Sequence, residues 1–151
     1  MAMYEAKRKG KNDICFFKSI MRERFMEKVS IQNKLNQAIT DEIFQLYYQP
    51  QFDVATNKLR GFEALLRWYD EELGWINPEQ FIPIAEETNL VVPIGNWVLD
   101  NACRTLKEWQ TKYGFSGIMS VNVSPVQLKK GDFVEQSVVK QILNYLETEG
   151  K

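Results

Sequence analysis

The sequence contains no histidine. Within this chain, that excludes histidine-based zinc sites, Ser-His triads and a histidine general base. Any acid–base or metal chemistry must rest on carboxylates, amides and lysines. Cysteine is scarce as well. Cys15 and Cys103 stand far apart, without metal-ligand spacing, and read as reduced thiols of a cytosolic protein. Charge of one sign is lacking: 19 basic and 20 acidic residues leave a net charge of −1. A basic footprint for duplex nucleic acid is therefore absent. No apolar run approaches the roughly 18 residues of a membrane span, and no apolar signal region follows the start.

What is there suffices for a core. Of 151 residues, 44% are hydrophobic, which suits one domain of ordinary size. Residues 2–10, AMYEAKRKG, read as the end of a helix, basic in its last turn and stopped by Gly10. Residues 13–17 read as a short strand. A domain rarely begins with its closing helix and strand, so the N-terminus is expected to be cut from something larger. Residues 19–39 form a long helix candidate with a thin stripe: Met21, Phe25, Lys28, Gln32, Leu35 and Ile39. A thin stripe suits a connector or a partner-facing helix better than a core helix.

An aromatic-rich strand is expected over 44–54 and another over 59–69, joined by the turn at 55–58 and hence antiparallel. Asn77-Pro78 starts a helix with proline at its first position, burying Phe81, Ile84 and Ala85. A second helix opens near Pro93 and stops at Gly114. Its apolar face is Ile94, Trp97, Val98, Leu106 and Trp109, with Cys103 offset. A third strand follows at 117–123, broken by Ser124-Pro125, and a last helix spans roughly 132–148. The order after residue 40 is β-β-α-α-β-α, without internal repeats.

The stretch GFEALLRW at 61–68 places two charges among apolar residues. Strand side chains alternate faces, so Gly61, Glu63, Leu65 and Arg67 share one face while Phe62, Ala64, Leu66 and Trp68 share the other. The apolar face must pack on helices. The polar face could simply be wet, as in many antiparallel sheets, or carry a structural Glu–Arg pair. Neighbouring polar residues weigh against both readings. Tyr47, Gln49 and Gln51 share a face in the first strand, as do Ser120, Asn122 and Ser124 in the third. Asn122 falls at a C-terminal strand end, where α/β barrels build their sites. Gln49, Glu63 and Asn122 are oxygen donors of the kind hard cations prefer.

Four segments, YYQPQFD, GFEALLRW, PEQFIPIAEETNLVVPIGNWVLDNAC and SVNVSPVQL, resemble the first part of EAL domains, bacterial phosphodiesterases for cyclic di-GMP. The likeness covers about residues 40–145, in the right order and spacing. AMYEAKRKGKNDICFF resembles the C-terminal end of a GGDEF, or diguanylate cyclase, domain. Together they imply a tandem GGDEF–EAL protein: a GGDEF remnant at 1–18, a connector helix at 19–40 and the N-terminal part of an EAL domain at 41–151. The implied fold is α/β, a partial TIM-like (β/α) barrel with its first strand antiparallel. Glu63 and Asn122 are implied as catalytic ligands for Mg²⁺ or Mn²⁺. Gln49, Leu65 and Arg67 are implied as substrate contacts, with Arg67 on a phosphate and Leu65 near a guanine. The implied reaction is metal-dependent hydrolysis of cyclic di-GMP to linear pGpG.

The sequence departs from the family by stopping at Lys151, before the later glutamate, the paired aspartates, the lysine and the final glutamate. A complete barrel needs roughly 250 residues. Three expectations follow. The longer parent is a phosphodiesterase, because all four visible site positions are intact. Alternatively, it is a degenerate EAL receptor or dimerisation module that binds cyclic di-GMP without cutting it. The chain by itself is a cytoplasmic, inactive fragment that folds by pairing with another copy, a homodimer, or by rearranging the connector helix against the sheet.

Overall fold

The computed structural model describes residues 19–129. The helix end at 2–10, the strand at 13–17, Cys15 and the helix at 132–148 lie outside the described residues. The architecture is α/β. Helix α1 spans Ser19–Thr40 and is followed by strands β1 (Phe44–Phe52), β2 (Leu59–Asp70) and β3 (Gly74–Ile76). Helices α2 (Pro78–Glu87) and α3 (Val91–Tyr113) lead to β4 (Ile118–Val121) and the short α4 (Pro125–Lys129). Among the described residues, no helix is long and apolar enough to cross a membrane.

Strand β2 is central. β1 pairs with it antiparallel along one edge, with Gln49 opposite Glu63 and Phe44 opposite Trp68. The other edge is shared: β4 pairs parallel to residues 61–64, and β3 pairs antiparallel to residues 68–70. The antiparallel β1–β2 hairpin matches its sequence reading. In its turn, the Asp53 carboxylate accepts from the Thr56 amide and hydroxyl, both at 2.8 Å. The Thr56 hydroxyl, followed by its amide, holds that carboxyl below its ordinary value.

The short β3 is not foreseen by periodicity, because three residues are too few to show an alternation. Helix α2 starts where Asn77-Pro78 places it. Asn77 Oδ1 accepts the Glu79 amide at 3.1 Å, and Gln80 Oε1 accepts the Asn77 amide at 3.2 Å. Helix α3 starts two residues earlier than expected, at Val91, so Pro93 sits inside its first turn, where its missing N–H costs no helical bond. It ends at Gly114, whose φ of +64° is the left-handed cap that glycine adopts without strain. Strand β4 is shorter than the expected 117–123 and ends at Val121, three residues before Ser124, and Pro125 begins α4.

Trp68, Phe81 and Leu35 are fully buried and form the centre of the core. The Trp68 and Phe81 rings meet edge to face at 5.4 Å, and Phe44 packs on Trp68 at 6.0 Å. Such pairs add about 0.5–1.5 kcal/mol beyond area burial. The stripe of α1 differs from expectation. Ile31, Leu35 and Ala38 are buried, whereas Phe25 stays exposed. These three follow an i, i+4, i+7 spacing, so the second half of α1 is a true core helix. The alternation of β2 holds: Ala64 and Trp68 are buried beneath α2 and α3, while Glu63, Leu65 and Arg67 are half-buried on the opposite face.

Helix α1 is also tied to β2 by charge. Lys34 Nζ reaches Asp70 at 2.8 Å and Glu72 at 3.0 Å. Asp70 Oδ1 further accepts the amides of Glu72 and Leu73, each at 2.9 Å. The Lys34 hydrogen bond, outweighing burial, holds the Asp70 carboxyl below the usual range, and the same contact raises Lys34. Asp70 therefore contributes stability above the unfolded carboxylate value of about 3.9, and loses it as pH falls through its lower folded value. Lys34 contributes fully below its unfolded value and loses that contribution as pH rises through its higher folded one. Asp70→Asn should flatten the acid limb of a urea-midpoint-against-pH curve relative to wild type. An unchanged acid limb would show that the contact carries no stability.

Candidate functional site

The site is built on the face of β2 opposite the core. Glu63 lies at the midpoint of the strand, flanked by Gln49 of β1 and Ser120 of β4 in direct register. Just beyond the end of β4, Asn122 turns its side chain back. Its Nδ2 donates to Glu63 Oε1 at 2.7 Å, on an exposed part of the surface. Two of the sequence-derived residues are thus brought into contact. Gln49 and Leu65 are brought alongside by register without a direct bond to that pair. A further polar contact, Ser120 Oγ to Gln51 Oε1 at 3.4 Å, reaches β1 two register pairs nearer the hairpin turn.

Arg67 is four residues along the strand from Glu63, a distance of about 13 Å at normal strand rise. The structural Glu–Arg pair does not form. The Arg67 guanidinium donates to the Leu66 carbonyl at 2.8 Å and stacks over the Tyr47 ring at 5.6 Å. That bond uses only part of a five-donor fork. A mostly apolar cavity of about 370 Å³ lies between β2, α2, α3 and the turn after β4. Its walls include Ala64, Leu66, Ile94 and Val98 from the helix side together with Arg67 and Asn122, and Glu63 is not among them. A shallower groove of about 700 Å³ continues past Arg67 along Tyr47, Trp75, Asn77 and Glu79. Trp75 and Tyr47 stand edge to face at 6.1 Å. The sequence reading missed Trp75, because its strand β3 was not foreseen.

Glu63 and Asn122 supply one carboxylate and one amide, the oxygen donors that a hard divalent cation takes. Among the described residues, no three histidine, cysteine, aspartate or glutamate side chains converge as a metal site. The pair therefore fits a cation as part of a ligand set. The turn that carries Asn122 is held by residues that the sequence reading did not single out. Ser124 Oγ donates to Glu86 at 2.6 Å, and the buried Gln127 accepts the Ser124 amide at 3.0 Å. In VQLKK, a glutamine gives no signal of burial. Cys103 is half-buried on α3, away from this face, and burial pushes its thiol up.

The sequence matches the EAL-domain family over residues 32–147. It is 40% identical over 134 residues to the bifunctional diguanylate cyclase/cyclic di-GMP phosphodiesterase MucR of Pseudomonas aeruginosa, covering 89% of this chain and 20% of that protein. It is 35% identical over 148 residues to the cyclic di-GMP phosphodiesterase PdeR of Escherichia coli, covering 98% of this chain and 22% of that one. The chain thus spans about a fifth of the length of these relatives. The fold superposes on the MucR phosphodiesterase in its cyclic di-GMP complex with a TM-score of 0.72 and 37% identity, over 77% of this chain and 47% of that one. It superposes on the EAL enzyme Bd1971 with a TM-score of 0.69 and 29% identity, over 80% of this chain and 34% of that one. From the alternating charges of β2 to these matched folds, one conclusion follows: the chain belongs to the EAL-domain family.

Proposed function

We propose that this chain is the N-terminal part of the phosphodiesterase half of a tandem GGDEF–EAL protein, and that its site face helps hydrolyse cyclic di-GMP to linear pGpG. The observation that carries the reading is the contact between Glu63 and Asn122, with Arg67 farther along the same strand face. Glu63 and Asn122 would hold Mg²⁺ or Mn²⁺, which when bound polarises a phosphodiester and activates water. Arg67 binds a phosphate through its guanidinium fork. Gln49 and Leu65 orient the rest of the ligand, with Leu65 against a guanine. The names of MucR and PdeR as cyclic di-GMP phosphodiesterases support the substrate class.

Residues 1–18 are read as the remnant of a diguanylate cyclase domain, 19–40 as the connector and 41–151 as EAL. The bifunctional name of MucR supports a cyclase neighbour, and the EAL-family match, which begins at residue 32 inside α1, supports assigning the rest of the chain to EAL. The compartment proposed is the cytoplasm, where a nucleotide messenger and the free Cys103 thiol belong.

Because no three carboxylates converge on a metal position among the described residues, the 151-residue polypeptide is expected to be inactive alone. A mass-detected time course with cyclic di-GMP and Mn²⁺ should yield no pGpG, and product would overturn that expectation. In the longer protein, Glu63→Gln should lower kcat by at least about 100-fold, the scale of losing one electrostatic stabiliser. An unchanged kcat would remove Glu63 from the catalytic residues, whereas binding of cyclic di-GMP without hydrolysis by the wild-type longer protein would make the domain a receptor instead.

Arg67→Ala should weaken cyclic di-GMP binding to the longer protein by roughly tenfold or more in calorimetry, the loss of a charge-assisted hydrogen bond worth about 1.5–3 kcal/mol. Unaltered affinity would remove Arg67 from the ligand contacts.

A homodimer is the proposed state of the isolated chain. Val54 in the β1–β2 turn is fully exposed, and Phe52 of β1, Ile118 of β4 and Leu128 of α4 are about half exposed. Light scattering should give twice the mass of one chain, and a monodisperse monomer would exclude this state.

A further inference from the structure

The turn between β4 and α4 carries Asn122, yet Asn122 itself is exposed and makes one hydrogen bond, to Glu63. Something else must fix the turn. Two residues later, Ser124 is tied on three sides. Its hydroxyl donates to Glu86 of α2 at 2.6 Å and accepts the Val126 amide at 3.1 Å. Its own amide donates to Gln127 Oε1 at 3.0 Å. Gln127 is 3% exposed, the only buried polar side chain among the described residues. Its amide lies directly against Gly95 in the first turns of α3. A Cβ at position 95 would overlap the Gln127 amide nitrogen, 2.6 Å from Cδ and 2.9 Å from Oε1.

We propose that Gln127, seated on Gly95 and bonded to Ser124, is a positioning residue that, with Glu86, sets Asn122 against Glu63. The proposal rests on the reading of Asn122 and Glu63 as site residues for its consequence, but not for its geometry. Burying an amide costs free energy unless its hydrogen bonds are made. Here the buried amide serves the backbone of the turn, its oxygen accepting the Ser124 amide. A residue that orients a ligating side chain in this way sets how well that side chain serves a cation, although it touches neither cation nor substrate. Gly95 is the informative position. Glycine inside a helix is less favourable than alanine, so α3 by itself would favour alanine. The structure keeps the glycine where the Gln127 amide needs the space.

The test follows the Asn122 side-chain amide by ¹⁵N NMR in the 151-residue chain, with neither metal nor nucleotide present. The resonance is assigned by its loss in Asn122→Asp. Its Glu63-bonded position is defined by the change on Glu63→Ala. In Gly95→Ala and in Ser124→Ala, the Asn122 amide should move to the position seen in Glu63→Ala. The Trp68 indole resonance and the urea midpoint of Gly95→Ala should stay at wild-type values, because its helix gains what the turn loses. Ser124→Thr, which keeps the hydroxyl, should restore the wild-type position. If the Asn122 amide stays in place in both alanine variants while the Trp68 resonance reports a folded core, the proposal is overturned. If Gly95→Ala does not fold, the comparison of Gln127→Ala with Gln127→Glu, which keeps the oxygen that accepts the Ser124 amide, decides by the same criterion. Because neither hydrolysis nor ligand binding is read, a failed phosphodiesterase assignment leaves this result intact, and the reverse also holds.

Discussion

Strand β2 has to satisfy three partners at once, and that pairing constrains the remainder of the molecule. Its residues 61–64 bond to β4, 68–70 bond to β3, and nearly its whole length bonds to β1. With both edges committed, the strand cannot rotate about its axis. The period-two alternation then assigns every side chain to a face. Ala64 and Trp68 go into the core, while Glu63 and Arg67 go to the other side. A slip of one residue would invert both sets, exposing Trp68 and burying two charges. The burial of Trp68 against Phe44 and Phe81 therefore does more than stabilise the sheet. It is the energetic reason that Glu63 faces Asn122.

The legibility of the sequence follows the same division. The faces of β2 could be read from GFEALLRW because alternation is a local property, and the helix starting at Asn77-Pro78 could be read because capping is local too. The nearness of Glu63 and Asn122, 59 residues apart, could not be derived from spacing. It came from resemblance, and the structure supplies the contact. The Glu–Arg pair fails because four residues of strand rise hold the two side chains about 13 Å apart, and each finds another partner, Asn122 for Glu63 and the Tyr47 ring for Arg67.

Other features were hidden for identifiable reasons. In α1, the apolar residues available for a stripe were ambiguous, and only the docking of its second half on Phe44, Trp68 and Phe81 selects Ile31, Leu35 and Ala38. Gln127 looked like any surface glutamine, since its burial depends on a space above Gly95 that no pattern in either segment announces. Trp75 entered the groove beside Arg67 through a three-residue strand too short for periodicity to mark.

The irregularity in the β1–β2 pairing falls between Gln51 and Phe52, at the hairpin end and beyond the Gln49–Glu63 pair. A bulge absorbs a mismatch in residue count by bending one strand locally. The hairpin thus has a slack end and a fixed end. A change of chain length at the exposed 53–58 turn can be taken up at the bulge, while the pairs from Gln49 to Phe44 keep their partners. The tip of this hairpin is accordingly free to diverge in length and composition without moving the face that carries Glu63 and Arg67.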